Sequence, residues 1–195
     1  MRRYARVYLA FVRNCLVREM EFRAHFWFMS VTNALWGVMS LALIGFVFGR
    51  AGTVAGWDLD RVIVLTGTFF VVWQVAYMLF YENMAKLSQH VNRGELDLIL
   101  VKPLDSQFLV STRYIKFNEL MGLVLGFGYV AWGLLRLGYL PPWWAVVAWG
   151  GYVVAAIAMI YALWFLSVSF TIWVGRINNI HFLVEPFMEL ARVPS

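Results

Sequence analysis

Apolar residues come in four long runs, each bounded by charged or turn-forming stretches. Over 24–49 the only ionisable residue is His25, at one end, and over 62–81 there is none. The run 117–135 has one acid, Glu119, close to its start, and 143–174 has no charge. A helix needs roughly 20 mostly apolar residues to cross about 30 Å of hydrocarbon at about 1.5 Å of rise per residue. The pattern therefore predicts an all-α, polytopic membrane protein with four spans. The last run has 32 residues, enough for about 48 Å of helix. It must tilt, protrude or bend, and Gly150-Gly151 is the place for a bend. Ahead of the spans, in 1–23, Tyr4, Val7, Tyr8, Phe11, Val12, Cys15 and Leu16 recur at three- and four-residue spacing, with most of the arginines elsewhere around the wheel. Arg6, Arg13 and Arg18 interrupt any signal-peptide core. This segment reads as an amphipathic helix lying flat in the membrane interface, its apolar face among acyl chains.

Composition agrees with the pattern. The chain of 195 residues is 62% hydrophobic and 14% charged, whereas soluble domains run near 45–50% apolar and about 25% charged. Its 10 Trp, 16 Phe and 9 Tyr suit repeated passage through headgroup layers. Lys and Arg set the orientation. With the N-terminus inside, the segments 1–23, 82–116 and 175–195 hold six, five and two of them, and the outer loops 50–61 and 136–142 hold two and one. This places both ends and the segment 82–116 in the cytosol of a bacterial inner membrane. Pro141 to Trp144 then falls at the outer interface, with prolines ending one element and indoles anchoring the next. The net charge of +5 fits basic cytosolic loops, and there is no stripe for nucleic acid.

Little in the sequence suggests chemistry. His25, His90 and His181 stand at or beyond the cytosolic ends of spans without metal-ligand spacing, so no metal site is expected. Asp58 and Asp60 read as a solvated turn, and Cys15 as a small apolar helix residue. Neither a GxSxG motif nor a GxxxxGK[ST] phosphate loop is present, so no catalytic or cofactor-binding residues are assigned. Inside the spans, Asn33 and Gln74 carry amides that must face another helix or a water-filled path, because an unpaired amide in hydrocarbon is costly. Gly122, Gly126, Gly128 and Gly133 leave a low-relief strip for close helix packing or dimerisation. Glu119 could pair with Lys116 or with an arginine of the N-terminal helix.

The segment 82–116 is the longest polar stretch. Within it Leu96, Ile99 and Leu100 share a helical face, Pro103 stops that helix, and Asp105 or Ser106 can cap the next. From His90 to Arg113 three basic and three acidic residues balance around an apolar "LILV". A charged rim of zero net charge around an apolar centre suits a protein partner better than anionic lipid.

The run Arg93-Gly94-Glu95-Leu96-Asp97, with Lys102-Pro103 and Ser106-Gln107-Phe108, resembles membrane permease subunits of bacterial type-2 ATP-binding-cassette exporters, a six-span family. The order of elements and the closing Ala191-Arg192-Val193-Pro194 resemble that family as well. The resemblance implies that 93–105 carries a coupling helix. Glu95, Leu96, Asp97, Ile99 and Leu100 would then contact a separate ATP-binding subunit, flanked by Arg93, Gly94 and Asp105, with Lys102 and Pro103 fixing its exit. It further implies ATP and Mg on that partner, none bound by this chain, and a second permease subunit alongside. Because the family continues for two more spans, the ending at Ser195 reads as a truncation. A non-transporting membrane scaffold and a membrane-embedded enzyme are the alternative classes.

Overall fold

A computed structural model describes residues 2–54, 56–94, 101 and 104–174. The described chain is helical: α1 (Arg2–Glu21), α2 (Arg23–Ala51), α3 (Leu59–Ala76), a π-helical turn (Tyr77–Tyr81), α4 (Glu82–Arg93), α5 (Ser106–Thr112), a 3-10 turn (Phe117–Glu119), α6 (Leu120–Arg136) and α7 (Trp143–Val174). Four stretches are long and apolar enough to cross a membrane: Arg23–Ala51, Leu59–Leu87, Phe117–Arg136 and Trp143–Phe170. Helices are the expected solution, because in hydrocarbon every backbone N–H and C=O needs an internal partner. The described residues form two compact units.

The first unit takes the described parts of Ala24–Val75, Asn118–Ile157 and Arg192–Ser195. Its core is a glycine-mediated contact between α3 and α6. A Cβ at Gly67 would stand 2.7 Å from the Val130 nitrogen and 2.9 Å from the Gly126 carbonyl oxygen, and one at Gly133 would stand 2.6 Å from Val64 Cγ2. Gly126 likewise meets the backbone of Val71. Only the missing side chains let two backbones approach so closely, and close approach is what holds helices together where lipid removes the hydrophobic drive. The strip expected on α6 is therefore real at Gly122, Gly126 and Gly133. Gly128 points into open space. Tyr129 fills the gap beside Gly67, its ring edge against Phe70 at 6.0 Å. At the far end Gly138, with φ +61, closes α6: its N–H reaches Leu135 O, and the next N–H, of Tyr139, reaches Leu134 O.

α2 buries Ser30, Gly37 and Phe48 and exposes Trp27, Phe28, Leu35, Trp36, Met39 and Leu43. Apolar exposure of that kind is expected of a helix bathed in acyl chains. α7 starts directly after Pro141-Pro142 and runs as unbroken α-helix through Gly150-Gly151. Trp143 and Trp144 at its start are exposed, as indole anchors require.

The second unit takes the described parts of Met1–Arg23, Ala76–Phe117 and Ala158–Ala191. Here the structure departs from the expected segments in two ways. The second span does not give way to a loop at Glu82: after the π-helical turn the chain continues as α4 to Arg93. And the apolar face of α1 does not simply face acyl chains. Cys15 is buried, Tyr4 packs edge-on against Phe108 at 5.1 Å, and Phe11 lines a cleft with α4 and α5. The exposed apolar residues of α1 are instead Leu9, Leu16, Val17 and Met20. Protein packing took the richer face, because this unit offers that face a surface made from residues nearly one hundred positions away, which periodicity does not register.

Candidate functional site

The second unit surrounds the segment that the sequence singles out. Glu95, Leu96, Asp97, Ile99, Leu100, Lys102 and Pro103 lie outside the described residues. The two ends of that stretch are described. Arg93 is the last residue of α4, and Gly94, with φ +70, takes the left-handed conformation that lets a chain leave a helix sharply. On the other side Asp105 caps α5, its Oδ1 accepting the Phe108 N–H at 2.8 Å.

α5 is held tightly for so short a helix. Leu109 and Ser111 are buried, the Ser111 hydroxyl is 2.8 Å from Tyr161 OH, and Gln107 Nε2 donates to that same phenol oxygen at 3.2 Å. Tyr161 in turn lies against Phe80 of the π-helical turn, ring centres 4.8 Å apart. Tyr77 and Tyr81 stack at 4.4 Å and both meet the ring of Trp164, which is fully buried.

After α5 the chain turns back toward the membrane through 113–117, and side chains distant in sequence hold its backbone groups. The Cys15 thiol reaches Arg113 O at 3.5 Å. Asn83, 1% exposed, uses both ends of its amide: Nδ2 donates to Tyr114 O at 2.7 Å, and Oδ1 accepts the Tyr114 N–H at 2.9 Å. The Lys116 N–H donates to Met78 O at 3.0 Å, and the Phe117 N–H donates to Glu19 Oε1 at 2.9 Å. Asn83 Nδ2 also donates to Leu79 O at 2.7 Å. Met78 and Leu79 both belong to the π-helical turn, whose extra residue widens the coil and turns carbonyls toward partners outside the ladder. The turn thus works as an acceptor platform for the returning chain.

Charge reinforces the frame. Arg18 pairs with Glu82 at 3.7 Å, and its guanidinium lies 5.5 Å from the centre of the Tyr114 ring. Burial pushes the Glu19 carboxyl above the usual carboxylate range, with Glu82 nearby adding to the effect. The Phe117 N–H, Arg18 and Lys116 pull the other way without cancelling it. Its second oxygen, Oε2, is buried with no hydrogen-bond partner among the described residues.

The two amides expected to bridge helices or line a path belong to the first unit. Asn33 Nδ2 donates to Glu119 Oε2 at 2.9 Å, joining α2 to the start of α6. Near it the Ser30 hydroxyl donates to Asn118 O at 3.4 Å. This is an interhelical contact, and it gives Glu119 a partner beyond those the sequence considers. Gln74 is buried beside Gly122, where any Cβ would run into its carboxamide, and its Oε1 has no hydrogen-bond partner among the described residues. Asp60 pairs with Arg136 at 2.8 Å and Asp58 with Arg61 at 3.8 Å. Among the described residues no three His, Cys, Asp or Glu side chains gather as metal ligands.

Sequence reasoning missed Asn83, Glu19, Tyr161 and Gly67. Asn83 and Tyr161 work through partners 31 and 50 positions away, and no local period encodes that. Gly67 carried a usable signal: a lone glycine inside a span, between Thr66 and Thr68, is where a second helix can come close.

Amphipathic α1, four apolar helices and a framed polar segment between the second and third of them define a multi-pass membrane protein with a cytosolic-type attachment segment. The model of the ABC-2 family transporter proteins matches residues 25–195, and the chain belongs to that family, as a permease subunit of an ATP-binding-cassette transport system. No curated protein and no solved structure matches it.

Proposed function

We propose that this chain is the membrane subunit of an exporter and that it receives the work of ATP hydrolysis through 93–105. The ATP-binding subunit is a separate protein that holds ATP and Mg. Its docking surface takes Leu96, Ile99 and Leu100 as the apolar centre, with Arg93, Glu95, Asp97, Lys102 and Asp105 as the charged rim. The chain resides in the bacterial inner membrane with its N-terminus in the cytosol, beside a second permease subunit.

The observation that carries this reading is the frame at both ends of the segment. Thrust on 95–103 enters α4 at Gly94 and α5 at its Asp105 cap. From α5 it passes to Tyr161 of α7, and from 113–117 to α1 and the π-helical turn through Cys15, Asn83 and Glu19. A free loop would absorb such a displacement, whereas this one has its return strand fixed at Arg113, Tyr114, Lys116 and Phe117. Co-purification tests the proposal. The chain should retain an ATP-binding subunit encoded beside it, and Leu96→Asp with Leu100→Asp should abolish retention while leaving membrane insertion intact. Unchanged retention by the double variant would refute this docking surface.

A further inference from the structure

A cleft of about 120 Å³ opens in the second unit among α1, α4 and α5. Its wall on α4 is formed by Asn83, Lys86, Leu87 and His90, spaced at i, i+3, i+4 and i+7, so that they lie on one stripe of the helix. Arg113, directly after α5, closes the other side. Three nitrogen-bearing side chains, Lys86, His90 and Arg113, therefore line one small space, and no Asp or Glu lines it with them. The remaining wall is apolar, with Phe11, Leu87 and Leu109. Cations above, hydrocarbon below and no counter-acid are the requirements of a group that is anionic at one end and greasy at the other.

We infer that this cleft binds the phosphate of an anionic phospholipid. The guanidinium of Arg113 and the ammonium of Lys86 take the phosphate oxygens, and the adjoining acyl chain runs over Phe11. Lipid is favoured over free phosphate by what borders the cleft: α1 exposes Leu9, Leu16, Val17 and Met20, an apolar surface of the kind that sits in the interfacial layer. The site is independent of the docking proposed for 93–105, since it uses none of the residues of the apolar centre there. A bound lipid would brace α1 against α4 and α5, tying the frame to the composition of its leaflet.

The test uses the purified full chain in neutral detergent, with bound lipid counted by native mass spectrometry and stability followed by tryptophan fluorescence on heating. Phosphatidylglycerol should remain bound and raise the melting temperature, and phosphatidylcholine and inorganic phosphate should do neither. Lys86→Gln and Arg113→Gln should each weaken phosphatidylglycerol binding roughly fivefold, the effect of about one interfacial charge. Lys86→Arg should preserve binding and guards against a fold defect, and Arg61→Gln, at a distant basic residue, should leave it unchanged. Equal binding of the two lipids, or loss in Arg61→Gln as large as in Lys86→Gln, would overturn the site. Phosphate alone reproducing the shift would overturn the lipid assignment, and no response to phosphatidylglycerol would leave the cleft to an acidic protein side chain.

Discussion

Asn83 concentrates more structural work than any other polar side chain described. Its amide satisfies both backbone groups of Tyr114 and one carbonyl of the π-helical turn, all in a site with almost no access to water. Leaving buried polar groups unpaired costs about 1–3 kcal/mol each, so Asn83→Leu should destabilise the protein by about 3 kcal/mol or more, seen as a lowered unfolding midpoint in detergent. Asn83→Asp keeps the acceptor and loses the donors, and should recover only part of that loss. Glu19 makes a pH prediction. Its carboxyl is raised, so the folded protein holds the proton to higher pH than the unfolded chain does. Stability then falls as pH climbs from the ordinary glutamate value through the raised one. Glu19→Gln should flatten that slope, as measured by melting temperature against pH. None of this was open to a reading of the sequence. The partners of Glu19, Asn83 and Cys15 come from positions far along the chain, and a side chain's hydrogen bonds are set by the fold that delivers it.

At the scale of elements, the spans were legible because an apolar run of about 20 residues has one solution in a bilayer. The α6 strip was legible too, down to Gly122, Gly126 and Gly133, since small residues announce close packing. Its partner on α3 was not, and Gly128 sat on the wrong face. This distinction can be tested directly. Gly67→Ala or Gly126→Ala must push α3 and α6 apart, because the new Cβ meets backbone, and should lower the melting temperature by several degrees. Gly128→Ala, facing open space, should leave it unchanged or raise it slightly through helix propensity. The extension of the second span into α4 was hidden by composition. "ENMAKLSQHVNR" is polar enough to read as loop, yet Asn83, Met84 and Leu87 bury one face of it.

For the molecule as a whole, membership of the ABC-2 transporter family and the four apolar helices agree with the pattern of apolar runs and with the Arg93 to Arg113 segment. What the fold adds is a path for force. A polar segment between two spans is framed by Gly94 on one side and by the capped, tyrosine-bound α5 on the other, and its return to the membrane is fixed backbone group by backbone group. Site-directed cross-linking tests that claim most directly, and the sequence suits it: Cys15 is the single cysteine and it is buried. In a Cys15→Ala background, Leu98→Cys should cross-link to the ATP-binding subunit with an efficiency that changes between nucleotide-free and ATP-bound states, while Thr53→Cys, in the loop after α2, should not cross-link to it. Cross-linking from Thr53→Cys with none from Leu98→Cys would contradict the account.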